Sequence, residues 1–387
     1  MNRPIRLLVV DDSALARRSI TNSIAGFKEI DVVGTAMDPY VARDKILALD
    51  PDVVTLDIEM PRMDGITFLK LIMRHRPMPV IIMSSLTAAG SRKALEALQA
   101  GAVDVMEKPF GAYSAHLDGA RLVEKIKAAA SARVCVCVEE STPAKPHQDP
   151  QPRRSFPPGR SFPARKIILI GASTGGTEAL KVVLTSMRGD LPGICVVQHI
   201  PAYFSKAFAD RLNQICPMEV REAIHGDIVK PGLVLIAPGG FHMLLKWQSD
   251  HYLVELNQGP PIHHQRPAVD VMFDSAIRAG AGGHAVAAVL TGMGADGSAS
   301  LLRLREAGAS TVAQNEETCV VFGMPREAIR LGAAQHVLPL GEIGTRLDQL
   351  ASGRGTFRGR ESQAKSASNG TLKQVANHSE RGLWAIE

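Results

Sequence analysis

Two groups of side chains in this chain have the types and spacing to do chemistry. The first is carboxylate-rich: Asp11 and Asp12 close the apolar run LLVV, Asp57 closes DVVTL, Ser84 and Ser85 close VIIM, and Lys108 follows VDVME. Carboxylates brought together repel unless a cation neutralises them. A hard, oxygen-seeking ion such as Mg²⁺, bound through a few of these carboxylates plus water, suits this set. With that charge and Lys108 nearby, one carboxylate can attack a phosphoryl group, because both cations balance charge on the transferring oxygens. Asp57 is the best candidate, since it precedes IEMPRMDG, whose Pro61 and Gly65 shape a tight loop. Taken singly these residues have ordinary explanations, as helix caps and solvated charges. Their recurrence at successive strand ends is what points to a site.

The second group begins in Gly171-Ala172-Ser173-Thr174-Gly175-Gly176, between an apolar run and a helical pattern. A phosphate-binding loop would need Lys-Ser/Thr after the glycines, and Thr177-Glu178 stands there; the dinucleotide fingerprint G-x-G-x-x-G does not match either. Gly171-x-Ser173-x-Gly175 does fit the sharp strand-to-helix turn that exposes a serine nucleophile, although a purely structural turn has the same pattern. A serine needs a base, and the base an orienting acid. His199 follows the run GICVVQ, and Asp296 lies in a glycine-rich loop after AVAAVL. His242 in APGGFHM is a rival base, while Asp270 reads as a helix start. His263-His264 suggests a metal, but no partner has ligand spacing. The order Ser…His…Asp differs from the Ser…Asp…His of α/β-hydrolases.

The elements that must position these residues alternate strand and helix. Before residue 130 there are five such units, starting at IRLLVV, DVVGTA, DVVTL, PVIIMS and VDVM; after residue 166 the alternation returns with KIILIGA, GICVVQH, LVLIAP, AVAAVLTG and STVAQ, helices lying between. The expected class is α/β, two domains, each a parallel sheet with helices on both faces. Ligands in such sheets sit at the carboxyl ends of the strands, where both groups of residues fall. Residues 139–166 hold seven of the 24 prolines and read as a linker; the tail beyond about Ala351, rich in Ser, Gly, Arg and Asn, reads as disordered and ends GLWAIE around Trp384, a possible docking peptide or an end with no role.

The net charge is +5. Residues 139–166 and 352–387 each carry six Lys/Arg against three Asp/Glu, so the two segments hold +6 and the rest −1. That distribution argues against a nucleic-acid surface. Five cysteines without a C-x-x-C suit a reducing cytosol, with Cys135 and Cys137 near the linker. The N-terminal run meets two aspartates and reads as a strand, and no stretch approaches a membrane span. The expected location is the cytoplasm.

Residues 4–125 resemble the receiver domain of two-component response regulators, through D-D, D-x-x-M-P-x-M-D-G and K-P. The resemblance implies a flavodoxin-like fold, Asp57 as phosphoacceptor, Mg²⁺ at Asp11, Asp12 and Asp57, Ser84 as switch hydroxyl and Lys108 as phosphate sensor. Val105 stands where many receivers carry an aromatic switch residue, so signalling through the last helices and sheet is expected instead. Residues 166–350 resemble the catalytic domain of the chemotaxis receptor methylesterase (CheB) family, through GASTGG, QHIP, APGGFHM, LTGMGADG and VVFGMPREA. The segment HHQRPAVD departs from that family's usual R-H-R-P-S-V-D. The implied roles are Ser173 as nucleophile, His199 as base then acid, Asp296 as orienting acid, and backbone N–H groups at Thr174 and Met293 as oxyanion donors, with no cofactor for the esterase. The expected layout is a receiver at 1–130, a linker at 131–165, a catalytic domain at 166–350 and a tail at 351–387. The expected function is a phosphorylation-activated hydrolase that demethylates glutamate methyl esters on methyl-accepting chemotaxis receptors and deamidates receptor glutamines. Its phosphodonor would be a histidine kinase of the CheA type. A DNA-binding regulator and a non-catalytic phosphorelay module are the alternatives.

Overall fold

The computed structural model describes residues 3–85, 87–108, 119–134 and 162–353. The first domain runs β1 (Ile5–Val10), α1 (Ala14–Ile24), β2 (Ile30–Ala36), α2 (Pro39–Leu49), β3 (Val53–Asp57), α3 (Gly65–His75), β4 (Val80–Ser84), α4 (Ala88–Gln99), β5 (Asp104–Glu107) and α5 (Gly119–Ala130).

 The first sheet is wholly parallel, in the order β2-β1-β3-β4-β5. Four of its helices open on side-chain caps: Ser13, Asp38, Asp64 and Thr87 each accept a first-turn amide.

The second domain runs β6 (Ile167–Ala172), α6 (Gly176–Ser186), β7 (Ile194–Gln198), α7 (Phe204–Ile215), β8 (Glu219–Glu222), β9 (Ile228–Val229), β10 (Leu233–Ile236), β11 (His242–Gln248) and β12 (His251–Asn257). It continues with α8 (Val269–Arg278), β13 (Ala285–Val289), α9 (Ser298–Glu306), β14 (Ser310–Gln314), α10 (Met324–Arg330), β15 (His336–Leu338) and α11 (Leu340–Ala351). Seven of these strands form a parallel sheet in the order β15-β14-β13-β6-β7-β10-β8. Successive residues of β6 serve opposite faces, as the pleat requires. Ile168 and Ile170 join a core with Leu184 of α6, Phe208 of α7 and Leu347 of α11. Ile167 and Leu169 join the other, with Phe273 of α8, Leu304 of α9 and Ala328 of α10. The chain leaves β6 towards β7 on one side and returns to β13 on the other, so the carboxyl ends of β6 and β13 flank a topological switch point.

The sequence alternation misses three features. Strands β8 and β15 extend the sheet at its two edges, and β11, β12 and β9 form a separate antiparallel sheet where only helices were expected. β8 is the charged sequence EVRE and β15 has three residues, so neither shows an apolar run. The ends of the expected linker are also packed: the Arg133 amide donates to the Val320 carbonyl at 3.0 Å, and the Tyr252 hydroxyl donates to the Arg165 carbonyl at 3.1 Å. Ala351, expected to open the tail, is the buried last residue of α11. Pro109, the middle of the linker with Cys135 and Cys137, and the tail with Trp384 lie outside the described residues. Among the described residues, no helix is long and apolar enough to cross a membrane.

The two domains meet along α4 and α7, where Leu95 and Leu98 share one apolar cluster with Phe208 and Leu212. A second contact brings Val320 onto the receiver core that contains Leu122 and Ile126 of α5. Both contacts frame the switch point.

Candidate active site

The turn after β6 places Ser173 at the switch point. Gly175 sits at φ +78°, a left-handed conformation that glycine adopts without the Cβ penalty, and α6 starts immediately after it. Helices α6, α7, α8 and α9 all start without a hydrogen bond from their own capping side chain. This contrasts with the side-chain-capped helices α1 to α4 of the first domain. It leaves first-turn N–H groups at the crevice for other uses.

His199 follows the neighbouring strand β7, and its Nδ1 lies 3.0 Å from Ser173 Oγ. Its Nε2 lies 2.8 Å from Asp296 Oδ2. Asp296 accepts at Nε2, so Nε2 carries the proton and Nδ1 accepts from the serine hydroxyl. All three residues are buried. Asp296 is further held by α8, whose first amides, from Val269 and Asp270, donate to its two oxygens at 2.7 and 2.9 Å. Burial works to raise the Asp296 carboxyl. The bond from His199, the ring's electrostatic pull and the two amides outweigh it, so the carboxyl sits below its ordinary range.

Thr174 and Met293 line the same cavity, of about 280 Å³, with Ser173, His199 and Asp296. Among the described residues neither backbone amide has an acceptor. Two unused donors beside a serine hydroxyl are the material of an oxyanion hole. The rival base, His242, lies elsewhere: its Nε2 bonds the Pro260 carbonyl at 3.0 Å and does not meet Ser173. Asp270 does open a helix, and burial together with the neighbouring Asp296 charge raises its carboxyl. The His263 reading needs correcting. The fold supplies the partners that spacing did not show, since His263, Asp270 and Asp296 have ligand atoms within 4.8 Å of one another. The Asp296 oxygens already accept from His199, Val269 and Asp270, and Asp270 also accepts from Ser300.

Residues 168–347 match the CheB methylesterase family and residues 7–116 match the response regulator receiver domain. A protein-glutamate methylesterase/protein-glutamine glutaminase of Syntrophus aciditrophicus is 51% identical over 353 residues, covering 89% of this chain and 99% of the relative. The chain belongs to this methylesterase family. A Bdellovibrio bacteriovorus protein of the same description is 48% identical over 365 residues, covering 90% of this chain and 98% of its own length. The crystal structure of the Thermotoga maritima CheB methylesterase catalytic domain is 41% identical and covers 48% of this chain and 98% of its own, with a TM-score of 0.47. Membership in the methylesterase family does not favour a DNA-binding or phosphorelay output.

In the methylesterase's receiver, the carboxylate oxygens of Asp11, Asp12 and Asp57 lie within 4.8 Å of one another. Lys108 Nζ reaches Asp57 at 2.6 Å and Asp11 at 3.1 Å. Burial pushes the Asp57 carboxyl up to about 6; Lys108 opposes the rise and the Asp11 charge adds to it. Lys108 is itself raised, because Asp57 and Asp11 outweigh its burial. Ser84 Oγ donates to the Gly90 carbonyl at 3.2 Å and lines a small pocket with Asp57 and Lys108.

The residues that motif reading missed join the two sites. Asp104, at the start of β5, accepts from the Thr174 hydroxyl at 2.5 Å and pairs with Lys125 of α5 at 2.6 Å. All three are buried, and Arg121, Glu124, Lys125 and Ala128 of α5 line the cavity that holds Ser173. The one available signal was an acid inside a short apolar strand, which needs a partner wherever it is buried.

Proposed function

We propose that the crevice is a serine esterase acting on glutamate methyl esters of chemotaxis receptors, held closed by the receiver until Asp57 is phosphorylated. The hydrogen-bonded run from Ser173 through His199 to Asp296 carries this reading. His199 Nδ1 takes the Ser173 proton as Oγ attacks the ester carbonyl, while Asp296 holds the proton on Nε2 and stabilises the imidazolium. The developing oxyanion sits against the Thr174 and Met293 amides. Collapse breaks the bond to methoxide, which leaves as methanol with the proton from His199. Water, deprotonated by the same imidazole, then attacks the acyl-serine and releases the glutamate carboxylate. A receptor glutamine enters by the same route with ammonia as leaving group.

The receiver's three carboxylates have the donor chemistry of a Mg²⁺ site, and Asp11, Asp12 and Asp57 would hold the ion. When bound, it supplies positive charge beside the phosphoryl oxygens. Asp57 is the phosphoacceptor, Lys108 faces it as the protein's own cation, and Ser84 lies within the same pocket as the switch hydroxyl. A histidine kinase is the phosphodonor, of the type that serves chemotaxis receptors. The 280 Å³ cavity under α5 admits a side chain, whereas a receptor helix of about 10 Å diameter requires α5 to move away.

The deciding experiment is methanol release from methylated receptor membranes, with and without a small phosphodonor, for the full chain and for Ser173→Ala. Release should rise with the phosphodonor and vanish in the variant. Release retained by Ser173→Ala would reject the nucleophile, and release indifferent to the phosphodonor would reject the control.

A further inference from the structure

Gln198 ends β7, in register with Ala172 at the end of β6, and directly precedes His199. It is 4% exposed in a strand whose other residues are Ile, Cys and Val. A carboxamide buried among such residues has to be explained by what it bonds. Its Nε2 donates to two carbonyls, that of Ser173 at 2.8 Å and that of His199 at 3.3 Å. Its Oε1 is buried and has no partner. Leaving an acceptor bare is unfavourable, so the amide is not there to satisfy itself. Turning it over would set Oε1 against two carbonyl oxygens, which fixes the orientation observed.

The space for this amide is made by Gly176. A Cβ there would stand 2.1 Å from Gln198 Oε1 and 2.8 Å from the Ala172 Cβ. The second glycine of the Gly175-Gly176 pair is therefore a seat for Gln198, while the first supplies the turn. On the opposite side, the Ser173 amide donates to the Thr291 carbonyl at 3.0 Å. The Ser173 carbonyl also accepts from the Gly176 amide at 2.7 Å, so the turn closes on itself as it is held from both flanks.

We infer that Gln198 is a positioning residue that ties the backbone of the nucleophile to the backbone of the base with one NH₂ group, setting the approach of Ser173 Oγ to His199 Nδ1. Gln198 touches neither the reacting atoms nor the ester. The inference rests on the proposed roles of Ser173 and His199. Its consequence is kinetic, because a misplacement of about 1 Å between reacting groups can cost roughly a hundredfold in rate.

The test uses the full chain with a small phosphodonor and a fluorophosphonate that labels activated serines. Final labelling stoichiometry reads the folded fraction, and the labelling rate constant reads how well Ser173 and His199 are aligned. Gln198→Met keeps the volume and removes the donors. It should reach the parent stoichiometry at a rate constant at least about tenfold lower, and methanol release should lose kcat at unchanged KM. Gln198→Glu, which keeps the shape, and Gly176→Ala, which fills the seat, should behave alike and serve if the methionine variant does not fold. A parent-like rate constant in the Gln198 variants would overturn the inference. So would a reduced stoichiometry at an unchanged rate constant, which marks a folding role only. Ser173→Ala runs alongside: labelling that survives in it rejects the nucleophile itself, a failure separate from that of Gln198.

Discussion

Asp57 shows how one buried carboxyl couples chemistry to stability. Its folded value of about 6 exceeds the ordinary 3.8, so the folded receiver binds the proton more tightly than the unfolded chain does. Stability is then fullest below the unfolded value and falls as pH rises towards the folded one. At about 1.4 kcal/mol per pH unit, the loss approaches about 3 kcal/mol by neutral pH in metal-free protein. Asp57→Asn carries no such charge. In the presence of a chelator it should melt above the parent chain at pH 7, with the advantage gone near pH 4. An advantage of equal size at both pH values would show that burial of the charge is not its source. The same burial that makes Asp57 costly to ionise makes it responsive to any cation or phosphoryl group placed beside it.

At the scale of elements, β5 links the two sites. Lys108 stands just beyond its carboxyl end against Asp57, and Asp104 opens it against Thr174. Four residues of strand span about 13 Å, so a shift of Lys108 reaches Thr174 through a single rigid element. The Asp104–Lys125 pair is buried, and removing one partner alone would strand a charge, which typically costs 3–5 kcal/mol. Replacing both by apolar residues avoids this. Asp104→Leu with Lys125→Met should fold with stability close to the parent, lose the acceptor for Thr174, and raise methanol release several-fold without a phosphodonor. Release that still needs the phosphodonor as much as the parent does would mean that this contact plays no part in closure.

At the scale of the whole molecule, the receiver lies against the crevice through α5 and is anchored at two places. One anchor is the apolar seam of α4 with α7, and the other joins Arg133 and α5 to the loop bearing Glu316 and Val320. Both anchors lie on the side of the receiver formed by its last strand and helices, so a change at Asp57 can loosen them together. Phosphodonor treatment should therefore raise amide hydrogen exchange in α7 and across residues 316–323, while β6 and β13 in the centre of the sheet stay protected. Exchange that is unchanged in both anchor regions would refute opening by separation of the domains.

The alternation of strand and helix, the two parallel sheets and the placing of Asp11, Asp57, Lys108, Ser173, His199 and Asp296 at strand ends were all legible in the sequence. These follow from local order: an apolar run, a turn and a helix start are adjacent in the chain, and parallel sheets expose their carboxyl ends in common. Tertiary structure alone decided which of these residues meet. Asp104 and Thr174 are 70 residues apart and Asp296 reaches back 26 and 27 residues to the amides of α8, distances over which no periodic pattern carries information. Which histidine lies beside Ser173, His199 or His242, follows in the same way, since both come after strands and only the sheet order puts His199 there. Edge strands such as β8 and β15 escaped because an edge needs little apolar sequence to pair. Sequence sets which elements form, through local burial and turn chemistry, whereas the partners of a buried polar group are set only when distant elements pack.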